Sequence, residues 1–72
     1  GEKMFNKDRL KLQRTNKGIS IYDMAKELYQ NGCNISHQAL RNYENGTNVP
    51  SANILYSLSK YFKKKMEYFF NQ

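Results

Sequence analysis

Seventy-two residues make one domain at most, and a chain of that size buries only about 60% of the surface its unfolded form exposes, which leaves no deep pocket between two lobes. Twelve Lys and Arg against six Asp and Glu give a net charge of +6 and a pI near 9.6, an excess that suits a polyanionic partner while saying nothing about fold. The single cysteine, Cys33, excludes an internal disulfide and with it a disulfide-stapled secreted scaffold, and no apolar run approaches the ~20 residues that cross a bilayer. The expectation is a soluble, cytoplasmic domain with no membrane partner.

Residues 1–4 read as an N-terminal tail, with Gly1 open to being a cloning remnant, and residues 5–72 as the domain. The first predicted helix runs over about 5–16, with Phe5, Leu10 and Leu12 among Lys7, Arg9, Lys11 and Arg14. Gly18 fits just past its end, where a left-handed residue is wanted. Ser20-Ile21-Tyr22-Asp23 has the spacing of a capping box and opens a second helix over about 20–31. Ile21, Met24, Ala25 and Leu28 fall at i, i+3, i+4 and i+7, one apolar stripe. Gln30 to Asn34 is turn chemistry. A third helix is predicted over 36–45, capped by Ser36 and stopped by Asn45-Gly46. After Pro50, Ser51 caps a fourth over 51–62, whose apolar face is Ile54, Leu55, Leu58, Tyr61 and Phe62. A short fifth helix follows over 66–71. No strand-like alternation is present, so the fold class is all-α with about five short helices.

The second and third helices, joined by a short connection, have the arrangement of a helix-turn-helix, whose second member lies in the major groove of DNA. A reading helix needs amide or guanidinium groups on its exposed face and apolar anchors behind them. Leu40 and Tyr43 (i, i+3) face inward, and His37, Gln38, Arg41 and Asn42 are left outside. Gln38 and Asn42, four apart, sit side by side.

On these residues the chain resembles the phage repressor/Cro-type, or XRE-like, helix-turn-helix domain. The resemblance is carried by Lys17-Gly18-Ile19-Ser20 with Met24-Ala25, Ile35-Ser36 with Leu40, Tyr43-Glu44-Asn45-Gly46, Pro50, Leu55 with Leu58, and Met66-Glu67-Tyr68-Phe69-Phe70. It covers about residues 5–70 and implies a compact five-helix, lambda-repressor-like domain. It further implies sequence-specific binding of double-stranded DNA by a transcriptional regulator of repressor type, with no catalytic residue and no cofactor. By the same resemblance His37, Gln38 and Asn42 match base-reading positions, and Arg41 a less regular one. Ser36 matches a capping position whose hydroxyl also touches phosphate. Asn45, Gly46 and Thr47 match a turn whose backbone N–H groups meet the sugar-phosphate strand, and Lys17 and Lys26, with Lys11, are further phosphate candidates. Arg14 and Glu44 match a structural pair joining the first helix to the end of the reading helix.

Two features depart from the family pattern. Ile21 stands where members often carry a phosphate-holding Gln, so that contact is lost or passes to a neighbour such as Tyr22. Residues 29–34 lengthen a connection that is usually a single Gly, so the second helix is expected to gain a turn and the loop to broaden.

Other readings compete at several of these residues. Gln38 has a plain alternative as a solvated surface amide. Cys33 and His37 have four-residue spacing, but the only Cys and the only His supply two of the four ligands a structural zinc needs, so no metal site is expected. Lys63-Lys64-Lys65 reads as a solvated run. One or two of Tyr68, Phe69 and Phe70 are expected to complete the core, and a homodimer patch on the C-terminal helix is the alternative use for the remainder. The rival function is a protein-protein interaction adaptor of the same fold working through that aromatic surface. The chain also leaves room for a regulatory domain fused to it or following Gln72.

Overall fold

The computed structural model describes residues 4–70, so the predicted tail apart from Met4, and the last two residues, lie outside the described part. Four α-helices follow one another, α1 (Lys7–Lys17), α2 (Ile21–Gln30), α3 (His37–Asn45) and α4 (Ala52–Phe62), and a single-turn 3-10 helix (Met66–Phe69) closes the chain. Each α-helix opens on a side chain that occupies backbone N–H groups the helix itself leaves without partners. Asn6 Oδ1 accepts from the N–H groups of Asp8 and Arg9, and Ser20 Oγ from Asp23, whose carboxylate returns the bond to the Ser20 N–H. Ser36 Oγ accepts from Ala39, and Ser51 Oγ from Ile54.

The elongated connection between α2 and α3 is an ordered helix stop. Gly32 takes φ +90°, its N–H bonds the Tyr29 carbonyl at 3.0 Å, and the Cys33 N–H bonds the Leu28 carbonyl at 2.8 Å. That pair of bonds is the Schellman arrangement, which brings the residue after the glycine back over the last turn. Cys33 and Leu28 are accordingly both buried, and the thiol-bearing side chain fills the core where α2 ends. The added residues thus lengthen α2 and plug the interior before the chain turns into α3.

The core is Leu10 of α1, Met24 and Leu28 of α2, Cys33, Leu40 of α3, Leu55, Leu58 and Phe62 of α4, and Phe69. α3 packs against α1 and α2, α4 against α2, and the 3-10 helix against α1 and α4. The second and fourth helices bury the stripes read from their spacing, although Ile21, Ala25, Ile54 and Tyr61 are only partly buried. In α1 Leu10 is the one fully buried residue, and Leu12 is half exposed.

Two expectations are corrected at the chain ends. In place of the predicted fifth α-helix over 66–71, of which residue 71 lies outside the described part, stands a four-residue 3-10 helix, so four α-helices are present among the described residues. Lys65 gives the 3-10 helix no side-chain cap, and it is tied down instead by long-range bonds. The Asn6 N–H bonds the Phe69 carbonyl at 2.7 Å, and the Arg9 guanidinium donates to the Tyr68 carbonyl at 2.7 Å. Phe5, predicted inside α1, precedes its cap and forms an isolated antiparallel bridge with Phe70. Among the described residues no strand occurs beyond that bridge.

The aromatic C-terminus is consequently drawn inward. Phe69 is fully buried, and Tyr68 and Phe70 are half-buried. Gln13 donates to the Tyr68 hydroxyl at 2.8 Å, while Arg9 and Lys64 lie over its ring at 5.0 and 5.1 Å. Phe69 is thus spent on the core, whereas half-buried Phe70 keeps an edge on a groove that it lines with Met4, Phe5 and Val49.

Candidate nucleic-acid interface

The orientation of α3 follows from what anchors it. Leu40 is fully buried and Tyr43 partly so, and burial raises the Tyr43 phenol above its ordinary pKa, with a smaller push from Cys33. At its C-terminal end Glu44 accepts from the Arg14 guanidinium twice, Nε to Oε2 at 2.7 Å and Nη2 to Oε1 at 3.1 Å. Arg14 Nη1 donates to the Ile19 carbonyl at 2.8 Å. One planar group thereby fixes α1, the α1–α2 turn and the end of α3 relative to one another, as a bidentate guanidinium–carboxylate pair is suited to do.

With that side held inward, the opposite face carries the polar residues. Gln38 and Arg41 are exposed, and His37 and Asn42 are half-buried. Gln38 Nε2 donates to Asn42 Oδ1 at 3.1 Å, so the two amides lie as one unit along the helix surface. Each retains unpaired donor and acceptor capacity within that pair, since a primary amide carries two N–H groups and two acceptor lone pairs. His37 departs from the free surface imidazole that spacing suggests: its ring stacks on that of Tyr22, the second residue of α2, with centroids 4.3 Å apart and planes inclined by 34°.

The flanking phosphate candidates divide. Ser36 uses one lone pair of its hydroxyl to cap α3, which leaves the hydroxyl hydrogen free to donate. Gly46 takes φ +86°, a left-handed conformation that favours glycine, while the Lys7 side chain lying over it is flexible enough to give way to a Cβ. Thr47 differs from the expectation of a free backbone donor. Its N–H bonds Asn45 Oδ1 at 2.9 Å, and the next N–H, of Asn48, bonds the Asn42 carbonyl at 3.2 Å. The side chains of Asn45 and Thr47 are exposed. Lys26 is exposed on α2 one turn beyond Tyr22. The Lys17 ammonium lies 4.7 Å from the centre of the Tyr61 ring on α4. A phosphate role for Lys17 requires it to leave that ring.

The sequence offers Tyr22 only as a neighbour to which the phosphate contact missing at Ile21 could pass, and gives no sign of its stack on His37. The signal was present at Ile21: that side chain packs partly into the core, and Asp23 is engaged in the capping box. Tyr22 is then the residue of the first turn of α2 with a polar group to offer outward, and it is 60% exposed. Cys33 lies in the core and His37 on Tyr22, and no group of three metal-ligating side chains occurs among the described residues. None of the described helices is long and apolar enough to cross a membrane.

A family model described as helix-turn-helix matches residues 10–69, which takes in all of α2, α3 and α4. No curated protein and no solved structure matches the chain.

Proposed function

The chain belongs to the helix-turn-helix family, in its XRE-like form, a family of DNA-binding transcription regulators, and from that membership we propose that it reads double-stranded DNA sequence-specifically with α3, as the DNA-binding domain of a repressor-type regulator. The observation that carries this reading is the Gln38–Asn42 amide pair, exposed on α3 directly opposite the buried Leu40. A helix fits the major groove, and a paired amide offers the donor-plus-acceptor edge that adenine N6 and N7 complement. His37 and Arg41 flank the pair and reach neighbouring base edges.

Ser36, Asn45, Gly46, Thr47 and Lys26 hold the strand backbone on either side, with Lys17 a more distant contributor. Thr47 acts there through its hydroxyl, since its N–H is engaged by Asn45. These contacts fix register, whereas those of α3 fix sequence. The action is occupancy: a bound domain excludes other proteins from the same duplex, and no bond is made or broken. Two copies bound as a dimer would read half-sites about 34 Å apart, one turn of the duplex.

The test is selection of bound duplexes from a random pool, followed by titration of the selected duplex and a scrambled one with wild type and Gln38→Ala. The reading expects wild type to prefer the selected duplex and Gln38→Ala to lose about 1–3 kcal/mol of that preference. Equal, weak binding of both duplexes by both proteins would reject it.

A further inference from the structure

We infer that Tyr22 is a second-helix component of the DNA interface: it holds the plane of the His37 imidazole for base reading and donates its own phenol hydroxyl to a strand phosphate. The inference rests on the groove-reading role of α3 proposed above, and adds to it a residue from the other helix.

The geometry brings three observations together. Tyr22 remains 60% exposed while its ring covers that of His37, the first residue of α3. An imidazole turns about χ2 in a broad, roughly two-fold well, so a free one presents either nitrogen to whatever acceptor is near. A ring stacked at 4.3 Å is restricted to one plane, so the imidazole no longer swings freely about χ2. Orientation of that kind converts an adaptable side chain into a discriminating one.

The hydroxyl is the second observation. Tyr61 donates to Glu27 and the Tyr68 hydroxyl accepts from Gln13, but the Tyr22 hydroxyl has no protein partner among the described residues. Third, the surroundings favour an anion. In a helix-turn-helix the first of the two helices crosses the phosphate backbone. The first turn of α2 offers nothing polar in that direction except Tyr22, because Ile21 packs inward and Asp23 closes the capping box. Lys26, one turn on along the same face, supplies positive charge beside it.

The two functions of Tyr22 separate in two substitutions, because Tyr22→Phe keeps the ring and loses the hydroxyl whereas Tyr22→Ala loses both. Wild type, both variants, His37→Ala and the Tyr22→Ala/His37→Ala double are titrated against the selected duplex and each of its single base-pair variants. Tyr22→Phe is expected to bind every duplex roughly tenfold more weakly, with unchanged ratios between duplexes. Tyr22→Ala is expected to show that uniform loss and, at one base pair, a fall in discrimination of about fivefold or more. That base pair is the one at which His37→Ala is blind, and the double variant discriminates there no worse than either single. Thermal midpoints of Tyr22→Phe and Tyr22→Ala should stay near that of wild type, which separates these effects from folding. The inference is overturned if Tyr22→Phe binds like wild type, or if Tyr22→Ala keeps full discrimination at the His37 position. A wild type with no preferred duplex overturns the α3 reading itself, and this inference with it.

Discussion

Arg14 and Glu44 meet as two parallel N–H···O contacts of 2.7 and 3.1 Å, with the Arg14 side chain only 15% exposed and that of Glu44 7%. At that burial the pair is unlike a surface ion pair, because removal of one partner leaves a desolvated charge behind. Arg14→Met should therefore cost about 3–5 kcal/mol, enough to unfold much of a small domain. Arg14→Met/Glu44→Leu should recover most of that loss, since neither charge is then buried alone. Urea titration followed by circular dichroism measures both. A single substitution costing less than about 1 kcal/mol would mean that the pair behaves as an exposed one.

What was legible in the chain before folding has a common physical basis. Ser20, Ser36 and Ser51 each cap a helix within three residues, so the partners of those side chains are local and the sequence carries them. The buried stripe of α2 and the anchors of α3 follow from helical period for the same reason. Asn6 is also a local cap, but the apolar Phe5 beside it extended the predicted helix; Phe5 is placed by Phe70, at the far end of the chain. The 66–69 segment has a helical composition, yet it lies between a left-handed Lys63 and the Phe5–Phe70 bridge, which leaves room for one tight turn. The Tyr22–His37 stack depends on how the 31–36 connection folds. That path is set by Gly32 and by burial of Cys33, and no periodicity reports it.

Lys63 takes φ 58°, the one positive φ outside glycine among the described residues. Its N–H bonds the Lys60 carbonyl at 3.2 Å and the Lys64 N–H bonds that of Ser59 at 2.9 Å, the same helix stop that Gly32 makes after α2. A side chain in this conformation costs roughly 1–2 kcal/mol. Glycine at this position removes that cost, and the extra freedom it gives the unfolded chain offsets part of the gain. Lys63→Gly should stabilise the domain by about 0.5–1 kcal/mol and raise the thermal midpoint by about 4 °C. A lowered midpoint would mean that the lysine is held there by a favourable contact.

The Tyr61 phenol is pushed well above its ordinary pKa, by burial first, then by its hydrogen bond to Glu27 and the charges of Glu27 and Asp23. The folded state therefore keeps this proton at a pH where the unfolded chain gives it up. The contribution to stability is whole below about pH 10, where both states are protonated. It is lost as pH rises above that value towards the folded pKa. Tyr43 acts in the same direction, through burial and then Cys33. Between about pH 9 and pH 11 wild type should lose stability more steeply than Tyr61→Phe, which has no phenol to titrate. Parallel urea midpoints for the two proteins over that range would show that Tyr61 is not linked to folding.

Lys17 and Lys26 were equivalent phosphate candidates by sequence, and their surroundings separate them. The Lys17 ammonium lies over Tyr61, where a cation on an aromatic face contributes roughly 0.5–1 kcal/mol at an exposed site. Lys26 is exposed on the face of α2 that carries Tyr22. A lysine that neutralises a phosphate releases condensed counterions, so its removal lowers the slope of log K against log salt by about 0.9. Lys26→Ala should produce that change, weaken all duplexes alike and leave the thermal midpoint almost unmoved. Lys17→Ala should lower the midpoint by a few degrees and alter the salt slope little. Binding measured between about 50 and 200 mM salt separates the two variants. An unchanged slope for Lys26→Ala would place the DNA strand off this face of α2, and a large change for Lys17→Ala would show that its ammonium exchanges the ring for a phosphate on binding.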